Sequence, residues 1–168
     1  MKMYVNGKWI DKDQKIDVIN PFDGSVVDTI PKGDASDVEA AVASAERGAK
    51  AMASLSGYER YQILNKAATL MDERLDDLGR TITLEEGKII GEGLGEAARA
   101  LETIVLSAEE AKRLYGETIP LDGSSGGAGK FGFTLRVPCG VVLAITPFNF
   151  PLNLVCHKVG PALAAGNS

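Results

Sequence analysis

Apolar positions recur along this chain with three different spacings, and each spacing predicts a different kind of element. The opening "MYVNGKWI" sets Asn6-Gly7 between two short β-prone runs, the signature of a type I′ hairpin. "IDVINPFDGSVVDTIP" repeats the theme as strand, turn at Asn20-Pro21-Phe22-Asp23-Gly24, and strand. Helical spacing then takes over. "SDVE" at residues 36–39 reads as a capping box that opens a helix through "AAVASAERGAKAMA". The next segment carries Tyr61, Leu64, Ala68, Met71, Leu75 and Leu78 at alternating steps of three and four. A third long helix, about residues 91–115, has Leu94, Ala98, Leu101, Val105, Ala108 and Tyr115 on one side. These stripes fit ordinary core packing, with partner interfaces as the alternative.

From Gly116 the character changes. "ETIPLDG" and "FGFTLRVP" read as two strands joined by "GSSGGAGK". Phe131, Phe133, Leu135 and Val137 alternate with Gly132, Thr134 and Arg136, as in a half-exposed ribbon rather than a buried parallel strand. "GVVLAIT" follows, continuous and β-branched, as a strand covered on both faces would be. "PLNLVCHKVGPALAAG" then reads as a helix, with Pro151 near its first turn and Gly166 near its end.

Composition narrows the function classes. With 168 residues, 45% hydrophobic and 24% charged, the chain suits one soluble domain or a piece of a larger one. The net charge is −5 and the Lys and Arg are scattered among acids, which argues against nucleic acid as a partner. Cys139 and Cys156 form no metal-like pair and are expected to be reduced in a cytoplasmic protein. Residues 137–156 carry no charge, a length that could span a bilayer. Pro138, Pro147, Asn149, Pro151 and Asn153 would leave polar groups unsatisfied in lipid, so a buried strand, turn and helix fit better than a membrane partner.

Two motifs mislead. Gly127-Ala128-Gly129-Lys130-Phe131-Gly132 is a literal G-x-G-x-x-G, but a dinucleotide fingerprint needs a helix after it, and "FGFTLRV" is a strand. His157, the sole histidine, adjoins Cys156, yet neighbouring helical residues point about 100° apart, so no dyad is expected. No metal site is expected either.

That leaves "ITPFNFP". Pro147 and Pro151 stiffen the backbone where a strand end meets a helix N-terminus, the crevice in which open α/β sheets bind ligands. Asn149 on this turn can aim its side-chain NH2 at a fixed point beside the positive end of a helix dipole, as an oxyanion donor requires. It can equally cap its own helix. The residues alone leave both open.

Beyond periodicity, "YVNGKWI", "VINPFDGSVVDTIP", "ITLEEGK", "YGETIPLDG" and the long block "VPCGVVLAITPFNFPLNLVCHKVGPALAAGN" are distinctive. On these motifs the chain resembles, over essentially all 168 residues, the N-terminal portion of an NAD(P)-dependent aldehyde dehydrogenase. The last block is similar to the branch of lactaldehyde and non-phosphorylating glyceraldehyde-3-phosphate dehydrogenases. The resemblance implies that Asn149 matches the oxyanion-hole asparagine and that Lys158 matches a lysine that helps relay protons in some members. It implies that Ile145, Thr146, Pro147 and Phe148 lie along bound NAD or NADP. Phe150, Leu154 and His157 fall where the family lines its aldehyde tunnel, and His157 in place of a common large aromatic hints at a small, polar or phosphorylated aldehyde. Ile89 stands where the family commonly has proline in "GK-Pro", a departure with no functional meaning attached.

The same resemblance implies an α/β fold: the N-terminal part of a Rossmann-type nucleotide-binding domain with helices and an antiparallel oligomerisation ribbon. Residues 1–117 would hold the hairpins and helices and 118–139 the ribbon. Residues 140–168 would hold the first Rossmann-type strand and its helix, with the domain incomplete at the C-terminus. The ribbon would pair subunits in a homodimer or homotetramer. The family's catalytic cysteine and glutamate match no position here, so a truncated chain would be inactive and, with apolar surface open, unstable alone. The full protein would oxidise a small aldehyde to its acid. The alternative is a naturally short, non-catalytic relative acting as an interaction or regulatory module.

Overall fold

Two hairpins open the chain in the computed structural model, which describes residues 1–168. β1 (Met3–Val5) and β2 (Lys8–Ile10) pair antiparallel, with Met3 opposite Ile10. Their two-residue turn needs positive φ twice, and Asn6 (52°) and Gly7 (74°) supply it. β3 (Lys15–Ile19) and β4 (Val26–Pro31) form the second hairpin, with a register shift after Val18. Asn20 Oδ1 accepts the Phe22 N–H at 3.0 Å within the turn between them.

α1 (Ala35–Ser54) starts earlier than "SDVE" suggests. Asp34 is the N-cap: its carboxylate accepts the N–H groups of Ser36 and Asp37, and the Asp37 carboxylate accepts the Asp34 N–H in return. A carboxylate beats the Ser36 hydroxyl here because Lys12 ties Asp34 and Asp37 together. Lys12, then Ser36 and the Asp37 N–H, hold the Asp34 carboxyl well below the usual range.

The expected second segment is two helices, α2 (Gly57–Asp72) and α3 (Leu75–Glu86). The break falls at Arg74, where φ is −120° and ψ 18°. α2 opens with Ser56 and Glu59 in a reciprocal capping box. α4 (Ile90–Ala111) ends short of the expected residue 115, and its inward line is Gly93, Glu96, Ala97, Ala100, Ile104, Ser107, Ala108 and Ala111. Of the expected stripe only Ala108 is buried, while Val105 and Tyr115 are exposed. The reason is size: small residues let neighbouring backbones approach, so they take the closest contact.

α4 is the axis of the molecule, packed by α2, α3 and α5 (Asn153–Ala164). The shared core is Leu64, Ala68, Ala100, Ile104, Ala108, Ala111, Cys156 and Ala164. Leu64, 2% exposed, is its largest aliphatic anchor on α2, and burying such a side chain stabilises by about 1.5–3 kcal/mol. Close approach depends on glycine: a Cβ at Gly93 would sit 2.5 Å from the Gly79 carbonyl oxygen, and one at Gly160 2.6 Å from Ser107 Oγ.

The ribbon is slighter than expected. β5 (Thr118–Ile119) and β6 (Gly132–Phe133) pair over two residues each, with Ile119 opposite Gly132. The glycine-rich motif is their loop, Gly129 standing at φ 74°. Phe131, Phe133, Leu135 and Val137 are all exposed. The expected buried strand over residues 140–146 is extended but forms no ladder in this chain, and Leu143 and Ile145 are 82% and 74% exposed. A strand needs a partner, and only one rung is present: Ser168 N–H donates to the Gly140 carbonyl (3.0 Å) and Val142 N–H to the Ser168 carbonyl (2.7 Å). One residue bonding to the positions on either side of its neighbour is the parallel pattern, with α5 as the crossover. The overall class is α/β.

Candidate functional site

The turn before α5 is held from outside by α4. α5 lacks a side-chain cap of its own, because its N-cap position is Leu152. Its first N–H groups would be unpaired. Glu96, fully buried on α4, fills that role: its Oε1 accepts the N–H groups of Leu152 (3.0 Å) and Asn153 (3.2 Å). A carboxylate at a helix N-terminus also meets the positive end of the dipole. Glu96 Oε2 accepts from Lys88 Nζ at 2.8 Å, and the same ammonium donates to the Asn149 carbonyl at 2.6 Å.

Lys88 lies just after the left-handed Gly87 that ends α3, which aims its side chain back across the turn. It forms a second ion pair with Glu86 at 2.7 Å. Burial works against the Lys88 ammonium, yet Glu86 and Glu96 outweigh it and raise its pKa above the ordinary lysine value. Its Nζ sits 4.3 Å from the Phe150 ring centroid, and the Arg99 guanidinium lies over the same ring at 5.3 Å. Lys88, Gly91, Glu92, Gly95, Arg99 and Phe150 line a cleft of about 420 Å³ beside the turn. Deeper in, Asn153 is buried and its Oδ1 accepts from Thr103 Oγ1 at 3.1 Å.

Asn149 itself is exposed, and its side-chain amide caps nothing; only its carbonyl is engaged. Ile145 and Phe148 are exposed on the segment before it, with Thr146 half-buried and Pro147 exposed. Phe150 adjoins the cleft, Leu154 and Lys158 are half-buried on α5, and His157 is exposed. Cys156 is buried and His157 beside it is exposed, so the two point in different directions, as adjacent helical residues do. Burial, then the Glu96 charge, pushes the Cys156 thiol up, which suits a core residue rather than a nucleophile. Cys139 is exposed, and neither cysteine is in a disulfide. No group of three His, Cys, Asp or Glu is placed to hold a metal, and no helix is long and apolar enough to cross a membrane.

The sequence-based site omits Glu96, Lys88, Thr103, Asn153 and Arg99. One signal was present for Glu96: it is the only acid on a line of Gly93, Ala97, Ala100 and Ile104. Asn167 was also missed. It is buried, and its Oδ1 accepts the N–H groups of Cys139 (2.7 Å) and Gly140 (2.9 Å), fixing the ribbon's exit to the end of α5.

This architecture is similar to that of known proteins. The family model described as "Aldehyde dehydrogenase family" matches residues 9–168. The chain is 47% identical over 166 residues to the 3-sulfolactaldehyde dehydrogenase of Priestia aryabhattai, covering 99% of this chain and 34% of that protein. The crystal structure of aldehyde dehydrogenase 21 from Physcomitrella patens, in complex with the reaction product succinate, superposes with a TM-score of 0.94 at 38% identity. It covers 99% of this chain and 35% of that one. NADP-dependent glyceraldehyde-3-phosphate dehydrogenase from Bacillus halodurans C-125, complexed with NADP, gives a TM-score of 0.93 at 35% identity, covering 99% and 36%. The chain thus spans about a third of the length of the relatives it matches. With the family model matching from residue 9 to residue 168, this chain belongs to the aldehyde dehydrogenase family.

Proposed function

We propose that this chain is the N-terminal third of an NAD(P)-dependent enzyme that oxidises a small aldehyde to its acid, with Asn149 donating to the oxyanion. The observation that carries the reading is the free side-chain amide of Asn149 on a turn whose backbone is pinned by Lys88 and Glu96. In the proposed reaction a cysteine thiolate from outside these residues adds to the aldehyde carbon. The carbonyl oxygen becomes the oxyanion that the Asn149 NH2 group takes. Hydride leaves that carbon for the nicotinamide ring, and water activated by a glutamate cleaves the remaining thioester to acid and free thiol.

NAD or NADP, when bound, accepts that hydride. Ile145, Thr146, Pro147 and Phe148 suit its wall: the segment is extended, largely exposed and unpaired, so flat rings and backbone groups can lie against it. The single parallel rung at Ser168 supports a further strand alongside residues 141–146 in the whole protein. Residues 118–139 would pair subunits through the exposed ribbon, in a homodimer or homotetramer. Lys158, half-buried one turn into α5, is proposed to relay protons.

The aldehyde is proposed to be small and anionic. The named relatives handle 3-sulfolactaldehyde, succinate and glyceraldehyde-3-phosphate, and Arg99 lines the cleft at Phe150 without an ion-pair partner. Phe150, Leu154 and His157 would line the approach.

Two measurements on the protein made from its native gene test the reading. An intact mass well above 17.7 kDa and aldehyde-dependent NAD(P)H formation are expected, with Asn149→Ala lowering kcat about 10²–10³-fold. A mass of 17.7 kDa without turnover would favour the short, non-catalytic module instead.

A further inference from the structure

We propose that Glu96 and Lys88 are positioning residues for Asn149, setting the direction in which its side-chain amide points. The proposal rests on the reading of Asn149 as oxyanion donor.

The geometry closes a loop around the turn. Glu96 is 0% exposed and uses its two oxygens for different tasks. Oε1 holds the N–H groups of Leu152 and Asn153, three and four residues after Asn149. Oε2 holds Lys88, and Lys88 holds the carbonyl of Asn149 itself. The turn is therefore gripped at both ends by one connected pair of charges, while the side-chain amide of Asn149 is left free. Phe150, the next residue, lies under Lys88 and Arg99 and adds a contact on the same side of the turn.

Each charge also requires the other. A buried carboxylate without its ammonium, or the reverse, is strongly disfavoured, so losing one member shifts the remaining one and the backbone it holds. Catalytic donors tolerate little displacement: an error of about 1 Å is enough to reduce a rate about 10²-fold. The same contacts also cap α5, and a purely structural cap would act on stability alone. The two roles separate in kinetics.

The experiment is a double-mutant cycle in the whole protein from its native gene, with kcat, KM and melting temperature measured for each variant. Glu96→Gln keeps an acceptor for the α5 N–H groups but removes the charge that holds Lys88. Its kcat is expected to fall about 10–100-fold, with the cofactor KM within about twofold of wild type. In an Asn149→Ala background the same change is expected to reduce kcat less than about twofold further, because its effect passes through Asn149. Should Glu96→Gln fail to fold, Lys88→Met, at a partly exposed site, takes its place in the cycle, and Lys88→Arg is expected to restore part of kcat. A Glu96→Gln protein with wild-type kcat, or losses that multiply fully with Asn149→Ala, overturns the proposal and leaves Asn149 as donor. An Asn149→Ala protein with wild-type kcat overturns the reading beneath it as well.

Discussion

The helices around α4 and the segment from residue 131 to residue 148 are built on opposite principles. Around α4 the contact residues are small: Ala97 and Ala100 are 0% exposed, and glycines at 79, 93 and 160 let backbones nearly touch. From 131 to 148 the residues are large, and Phe131, Leu135, Val137, Leu143, Ile145 and Phe148 lie open. A chain whose largest apolar side chains face outward while its alanines are buried has its self-sufficient part in the scaffold. The segment from 131 to 148 carries apolar surface that this chain does not bury. The turn at Asn149 lies where the two regimes meet, and the scaffold reaches across to hold it.

Three substitutions probe the contrast, the most destabilising first. Leu64→Ala removes the main aliphatic anchor between α2 and α4 and is expected to destabilise by about 2–5 kcal/mol, read as a lowered urea midpoint. Gly93→Val forces a side chain against the Gly79 carbonyl and Thr83 Oγ1, and a loss of about 1–3 kcal/mol is expected by the same assay. Leu143→Ser, at a position 82% exposed, is expected to change stability by less than about 0.5 kcal/mol while reducing self-association in light scattering. A large loss at Leu143, or none at Gly93, would erase the distinction between the regions.

How far the sequence carries depends on where the determining contacts lie. The Asn6-Gly7 turn was legible because a two-residue hairpin demands positive φ at both positions, and the left-handed Gly166 near the end of α5 was legible for a similar local reason. The α2–α3 break was not. Met71, Leu75 and Leu78 keep helical spacing straight through it, and neither Gly nor Pro marks Arg74. The inward face of α4 does not follow from its large residues, because Gly93, Ala97 and Ala100 take the closest contacts. The strand over residues 141–146 has the right residues, but pairing is a property of two segments.

At the site, the turn that carries Asn149 was legible from Pro147 and Pro151, while the role of its amide is the proposal made above from resemblance. Glu96 was not legible, since its partners Leu152 and Asn153 lie 56 and 57 residues away. Lys88 reaches across 61 residues to Asn149, a contact that no local pattern encodes.

Amide hydrogen exchange across the 168-residue chain produced by itself, followed by mass spectrometry, separates the scaffold from the open segment. Slow exchange is expected in α2, α4 and α5, where α4 is packed by its neighbours, and fast exchange over residues 130–148, whose N–H groups are largely unpaired. Protection over residues 141–146 equal to that of α4 would contradict this expectation, as would an α4 that exchanges at once.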